Sequence, residues 1–364
     1  FSIKYVATQQ ISITKHKSKP SERRYKIYPY TTKPAIMPFC FFDLNSMSHA
    51  ALIAALPPLH TPPWLRGGNI ETLYTKRLQS PAPLYRRELL PTHANSGMQA
   101  FDFLNSPNPD APLLLHFHGL EGSSRSHYAV ALMLAAQARG WHAVVAHFSS
   151  CGGVAAQKYY HSGDTAAIAH ALKLMQARYP RIYAVGVSLG GNALAKYLGE
   201  CGRANISCGL QAAAAVSAPV DLTASSLAIS QGLPRLLYTP YFLSSLRKKV
   251  PADAKAVKLR SLADFDNAYT APLNGFIDAA DYYRRAAAKP YLRDIRLPTL
   301  LINAHNDPFL PPEAMPQETE VSPQVYLLQP RSGGHVGFVS GTGRGHLRWM
   351  PETVFRFFDE ISHA

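Results

Sequence analysis

The run Ile182-Tyr183-Ala184-Val185-Gly186-Val187 is continuously apolar, and a helical pattern opens at Leu189 directly after it. Between the two stands Ser188, inside Gly186-Val187-Ser188-Leu189-Gly190. A buried strand that turns into a helix over one residue has few solutions. The serine at the tip is held in a strained backbone conformation, and side chains at the flanking glycines would strike the strand and the helix. A G-x-S-x-G turn set between strand and helix is the pattern of a nucleophile elbow.

The rest of the chain supplies a sheet to carry that turn. Residues 85–90 and 98–104 read as an antiparallel pair. Residues 113–118, 142–148, 182–187, 212–216, 299–304 and 324–328 read as further strands. Helical patterns fall at 126–139, from a cap at Ser162 or Asp164 through 178, at 189–199, and at 346–362. Several strands are apolar throughout rather than alternating, as burial on both faces requires. The expected class is α/β, with a mostly parallel central sheet flanked by helices. Residues 221–290 break the rhythm. Leu236, Leu237, Tyr238, Tyr241, Phe242, Leu243 and Leu246 cluster ahead of Arg247-Lys248-Lys249, which reads as a helical cap inserted over the sheet. Residues 47–364 are therefore expected to form one domain.

A serine needs a histidine to take its proton and a carboxylate to orient that histidine. On such a sheet the partners follow as acid, then His, each after a later strand. Asp307 comes directly after the strand pattern ending Asn303-Ala304-His305-Asn306, and His335 lies in Gly333-Gly334-His335-Val336-Gly337-Phe338, past the last strand. The expected catalytic set is Ser188, Asp307 and His335. Two backbone N–H groups must also hold the oxyanion. Leu189 follows the nucleophile, and Leu120 lies in the loop His118-Gly119-Leu120-Glu121-Gly122. His116 and His118 are two apart, but no further ligand spacing follows, so no metal site is expected. Dinucleotide and Walker glycine motifs are absent, and no cofactor is expected.

Charge sorts the partners. The formal net charge of +14 raises nucleic acid, membranes and anionic substrates. Residues 1–46 hold eight basic and two acidic residues, and 231–262 hold seven and one, so each contributes +6 and the remainder only +2. The first segment has neither aromatic interleaving nor an amphipathic face. It reads as a disordered or artefactual extension, with the start at Met37 or Met47. Nucleic acid then loses its support, and a small-molecule ester is the expected partner. The basic cap run leaves two readings open, a transient contact with a membrane surface or anionic headgroup and a plain solvated face. No run nears the ~20 apolar residues of a membrane span. The four cysteines, Cys40, Cys151, Cys201 and Cys208, have neither zinc nor disulfide-framework spacing, which suits reduced thiols and a cytoplasmic location.

These stretches resemble the YheT-like branch of the α/β-hydrolase superfamily, esterases related to eukaryotic α/β-hydrolase-domain phospholipases. The resemblance rests on residues 117–123, His147-Phe148 with Cys151, residues 160–163, 186–192, Asp307-Pro308-Phe309 and 333–338. It also includes Asp264-Phe265-Asp266 and Asp281-Tyr282-Tyr283. It spans about residues 62–360 and implies an α/β-hydrolase fold with the nucleophile, acid and base on Ser188, Asp307 and His335. One departure stands out. The family usually has Arg and Gly after the His-Phe pair, where this chain has Ser149 and Ser150, so either loop anchoring there or a contact near the active site is expected to differ. The function implied is carboxylic ester hydrolysis through an acyl-enzyme. An acyltransferase with the same triad, or a non-catalytic binding protein on the same fold, are the alternatives.

Overall fold

Eight short strands, the central ones buried on both faces, join into one sheet in the computed structural model, which describes residues 48–93, 97–155, 159–250 and 257–363. The strands are β1 (Arg86–Pro91), β2 (Met98–Leu104), β3 (Leu113–Phe117), β4 (His142–Ala146), β5 (Ile182–Val187), β6 (Ala212–Val216), β7 (Thr299–Ile302) and β8 (Val325–Leu328). Their order is β1-β2-β4-β3-β5-β6-β7-β8. Only β1–β2 and β2–β4 pair antiparallel; the other five pairings are parallel. The basic segment 1–46 and Cys40 lie outside the described residues.

The helices are α1 (His49–Ala55), α2 (Gly68–Tyr74), α3 (His127–Ala138), α4 (Thr165–Gln176), α5 (Leu189–Arg203), α6 (Leu222–Ile229), α7 (Gly232–Leu237), α8 (Thr239–Leu246), α9 (Leu262–Phe265), α10 (Ala271–Leu273), α11 (Ala279–Ala286) and α12 (Trp349–His363). The two-residue period of the strands divides the core. Leu113, Leu115, Phe117, Ala184, Ala213 and Ala215 face Ile168, Leu172 and Met175 of α4 and Leu194 and Leu198 of α5. Leu114, Val185, Val187, Ala214 and Val216 face Leu132 and Met133 of α3 and Phe355 and Phe358 of α12. Among the described residues no helix is long and apolar enough to cross a membrane.

One local reading is changed by tertiary contacts and another is resolved by a local one. Helix α5 does not stop at Gly199 but runs on to Arg203. Gly199 and Gly202 are close-approach points instead. A Cβ on Gly199 would sit 2.4 Å from the Tyr291 carbonyl oxygen, and one on Gly202 would sit 1.7 Å from that of Asp294. At the start of α4, Asp164 rather than Ser162 is the cap, its carboxylate accepting the Ala167 N–H. Helices α6 to α11 all lie between β6 and β7. Helices α8 and α9 share a small core of Leu243, Leu246, Leu262, Phe265 and Tyr269, with Leu120 packed against it from the sheet side, and α6, α10 and α11 share a second one of Leu222, Ala271, Tyr282 and Ala286.

The loop after β4 shows how the Ser149-Ser150 departure is accommodated. Ser149 is buried, and Ser150 has φ 63°, a conformation glycine adopts without steric cost. A guanidinium reaches this loop from β1. Arg87 Nη1 donates to the Gly152 carbonyl at 2.7 Å, while its Nε and Nη2 hold both Asp102 oxygens at 2.6 and 2.7 Å. Asp102 also accepts from His147 at 2.9 Å and from Ser124 at 2.6 Å. Burial pushes that carboxyl up, but these bonds together hold it well below the usual carboxylate range.

Buried neutral histidines make the fold acid-sensitive. His116 on β3 is fully buried, and its Nδ1 donates to the Val185 carbonyl at 3.0 Å. Burial lowers its pKa to about 4, with the His147 charge adding and the Val185 bond opposing. The unfolded chain takes up this proton near pH 6.5 and the folded chain only near 4, so stability is lost as pH falls through that window. His116 alone is expected to cost about 2 kcal/mol between pH 7 and 5. Urea midpoints at the two pH values check this. His116→Asn, which keeps a donor and cannot titrate, should narrow the difference; an unchanged difference would refute the assignment.

Candidate active site

The turn from β5 into α5 puts Ser188 at φ 54° and ψ −121°. That strain is held from three sides. The Ser188 N–H donates to the Val216 carbonyl of β6 at 2.8 Å, and its carbonyl accepts the Asn192 N–H at 3.0 Å. Gly119, from the loop after β3, passes so close that a Cβ there would lie 3.1 Å from that of Ser188.

His335 and Asp307 arrive from the loops after β8 and β7. His335 Nε2 lies 2.9 Å from Ser188 Oγ, and its Nδ1 lies 2.9 and 3.2 Å from the two Asp307 oxygens. A carboxylate only accepts, so Nδ1 carries the proton and Nε2 presents its lone pair to the serine. Asp307 also accepts the Phe309 N–H at 2.8 Å, and the Phe309 ring tilts over the imidazole with centroids 4.1 Å apart. Ser188, Asp307 and His335, singled out from three distant stretches, are thus brought within hydrogen-bonding distance.

The loop carrying His335 is braced by helix α2, which the sequence pattern did not flag. Thr72 Oγ1 accepts the His335 N–H at 2.8 Å. Glu71 accepts the Gly333 N–H at 2.5 Å and the Asn306 side-chain amide at 2.9 Å, and Asn306 Oδ1 accepts the Gly334 N–H at 2.9 Å. Burial raises the Glu71 pKa, and these donors pull it back. The sequence there offers only Gly67-Gly68 ahead of the mixed run Asn69-Ile70-Glu71-Thr72-Leu73-Tyr74. Gly68 is required because a Cβ there would lie 1.7 Å from the Asn306 carbonyl oxygen.

The Leu120 loop is equally constrained. The Gly119 carbonyl accepts from His118 Nδ1 at 2.8 Å and from the Gly122 N–H at 2.9 Å. His118 Nε2 accepts the Phe148 N–H at 3.1 Å, so both ring nitrogens are engaged and the ring is neutral. Burial lowers its pKa well below that of a free histidine. The Gly119–Leu120 peptide is trans, so holding its carbonyl on one side aims the Leu120 N–H to the other. Neither that N–H nor the Leu189 N–H has an acceptor among the described residues. The next residue, Glu121, has φ 54° and binds the cap. Its carboxylate accepts from Lys249 Nζ at 2.6 Å, Ser245 Oγ at 2.5 Å and the Tyr160 hydroxyl at 2.9 Å.

Ser188, Leu189 and Leu120 open on one cleft of about 930 Å³, counting its mouth. Its wall is mainly apolar, with Leu222, Ile229, Phe242, Leu246, Leu262, Phe265 and Phe309. Asn192 ties cap to nucleophile helix beneath it. Its amide donates to the carbonyls of Ser162 and Ala286 at 2.8 and 2.9 Å and accepts the Ala288 N–H at 2.9 Å. Cys151, Cys201 and Cys208 are free and buried. No group of three or more His, Cys, Asp or Glu could hold a metal ion among the described residues.

This is the architecture of an α/β-hydrolase. The chain is 38% identical over 259 residues to YheT of Escherichia coli (strain K12), whose name gives esterase as a provisional description; the match covers 67% of this chain and 75% of that protein. It is 29% identical over 319 residues to human "Phospholipase ABHD3", covering 81% of this chain and 76% of that one. Among solved structures, the Pyrococcus furiosus esterase Pf2001 shares the fold at a TM-score of 0.50 and 16% identity, over 84% of this chain and 97% of that one. No family model matches. The chain belongs to the YheT-like branch of the α/β-hydrolase superfamily and is a carboxylic ester hydrolase.

Proposed function

We propose that the chain cleaves esters with apolar acyl groups through Ser188, His335 and Asp307, by way of an acyl-enzyme. The observation that carries this reading is the hydrogen-bond series from Ser188 Oγ through His335 to Asp307, opening on an apolar cleft. His335 Nε2 takes the Ser188 proton as Oγ bonds to the ester carbonyl carbon. The carbonyl oxygen becomes an oxyanion between the Leu120 and Leu189 N–H groups. The imidazolium, steadied by Asp307, gives its proton to the departing alkoxide as the C–O bond breaks. Water then enters by the same route in reverse, giving the acid and free Ser188. The phospholipase name of the human relative supports an ester with a lipid-like acyl chain. So does the cap of residues 221–290, which we read as a roof over the acyl group.

A fluorophosphonate probe should label the wild type at Ser188, and p-nitrophenyl esters should be turned over better at medium chain length than as acetate. Labelling elsewhere, or none, would remove the triad from the proposal. A preference for acetate would remove the acyl-binding cleft.

His118 is a positioning residue in this scheme, since it acts on the oxyanion only through the Gly119 carbonyl. His118→Ala is expected to lower kcat by roughly 10²-fold, as loss of one oxyanion donor does, with a much smaller change in KM. Steady-state kinetics on one p-nitrophenyl ester separates the two. A change confined to KM would argue against this role.

A further inference from the structure

The wall of the cleft is not uniformly apolar. Where α6, the segment after α9 and α11 meet, it carries Ser225, Ser226, Asp266, Thr270 and Tyr283. Asp266 and Thr270 are the two ends of a π-helical turn, Asp266–Thr270, whose wide bond runs from the Ala271 N–H to the Asp266 carbonyl. Such turns are rare and occur frequently at functional sites. The Tyr283 hydroxyl donates to Asp266 Oδ2 at 2.7 Å. Burial pushes the Asp266 carboxyl up to about 6, with the Thr270 and Tyr283 hydroxyls pulling it back.

Two features of this patch are costly without a ligand. Ser225 is buried, and its hydroxyl has no partner among the described residues. An unpaired buried hydroxyl is unfavourable in an apolar wall. The Asp266 carboxylate has about four acceptor sites, and the two hydroxyls beside it leave some unused. The triad and the two oxyanion donors use none of these residues.

We propose that this patch is a subsite for a hydroxyl group carried by the ester substrate, a proposal that rests on the cleft beside Ser188 being the substrate site. A hydroxyl both donates and accepts. It can donate to Asp266 and accept from Ser225, whereas an ammonium would leave the serine proton unpaired. The surrounding apolar residues then take the hydrocarbon, and the subsite sets which carbon bears the polar group. The hydroxyl belongs either to the acyl chain or to the alcohol half of the ester.

Matched esters test the proposal. On the acyl side, p-nitrophenyl esters of hydroxylated and unsubstituted acids of equal length are compared, with the hydroxyl moved along the chain. On the alcohol side, a 1-monoacylglycerol is compared with the propyl ester of the same acid. In one series wild-type kcat/KM should favour the hydroxylated ester by about tenfold or more, as expected of a site built to hydrogen-bond a substrate hydroxyl. Asp266→Asn and Ser225→Ala, each checked by its melting curve, should bring that ratio toward one. A wild-type ratio near one in both series overturns the subsite, as does a ratio that survives in both folded variants. Turnover of the unsubstituted esters reports the triad separately. A flat ratio with normal turnover therefore removes the subsite alone, and no turnover of any ester removes the catalytic reading and the subsite with it.

Discussion

Ser188→Ala should lower ester turnover by about 10⁶-fold in kcat, the loss seen when a triad nucleophile is removed. That is about 8 kcal/mol of transition-state stabilisation. The size follows from what remains. Without Oγ there is no acyl-enzyme, and His335 has no proton to take; the Leu120 and Leu189 N–H groups can polarise a carbonyl but have no nucleophile to offer it. Alanine keeps the Cβ that Ser188 already places at φ 54°, so the melting temperature should stay close to that of wild type. Asp307→Asn should cost about 10⁴-fold, because an amide nitrogen facing Nδ1 turns the imidazole to the wrong tautomer. Single-turnover hydrolysis of a p-nitrophenyl ester measures both. A Ser188→Ala enzyme within tenfold of wild type would end the proposal.

Gly190→Ala should destabilise the fold by about 3 kcal/mol or more and take activity with it. The new Cβ would lie 2.4 Å from the Phe117 carbonyl oxygen and 2.6 Å from that of His118. Both are backbone, so relief requires moving the end of β3, and with it the loop that carries Leu120. Gly140→Asn is the control. Gly140 has φ +70° but nothing within 4 Å of an added Cβ, and asparagine tolerates that region, so the cost should be about 1 kcal/mol. Urea denaturation of both variants decides the matter. Equal midpoints for Gly190→Ala and wild type would show that the close packing of elbow against β3 has been misjudged.

The elbow, the strands and the order of acid and histidine were legible because each is local. A strand pattern, a glycine or a polar residue at a strand end can be read within ten residues. The end of α5 was misplaced for the same reason. Read locally the helix ends at Gly199; in the fold it runs on to Arg203, and Gly199 is where it meets the Tyr291 carbonyl, more than 90 residues away. Glu71 and Thr72 were invisible because their partners, Gly333 and His335, lie more than 260 residues away. Arg87 could not be linked to the Ser149-Ser150 loop for the same reason. Asp266 lay in a stretch already matched to the family, but nothing nearby in sequence says that its carboxyl faces the same cleft as Ser188.

Asn192 has a mechanical consequence. One buried amide, a single turn into the nucleophile helix, fastens the carbonyl before the cap's last exit and the N–H after it. The return leg of the cap and the catalytic serine therefore belong to one rigid piece. If the roof lifts to admit a long acyl chain, the hinge lies within residues 222–286 and not where the chain rejoins the sheet. Exchanging caps between related enzymes would then succeed only with a cut made upstream of Ala286.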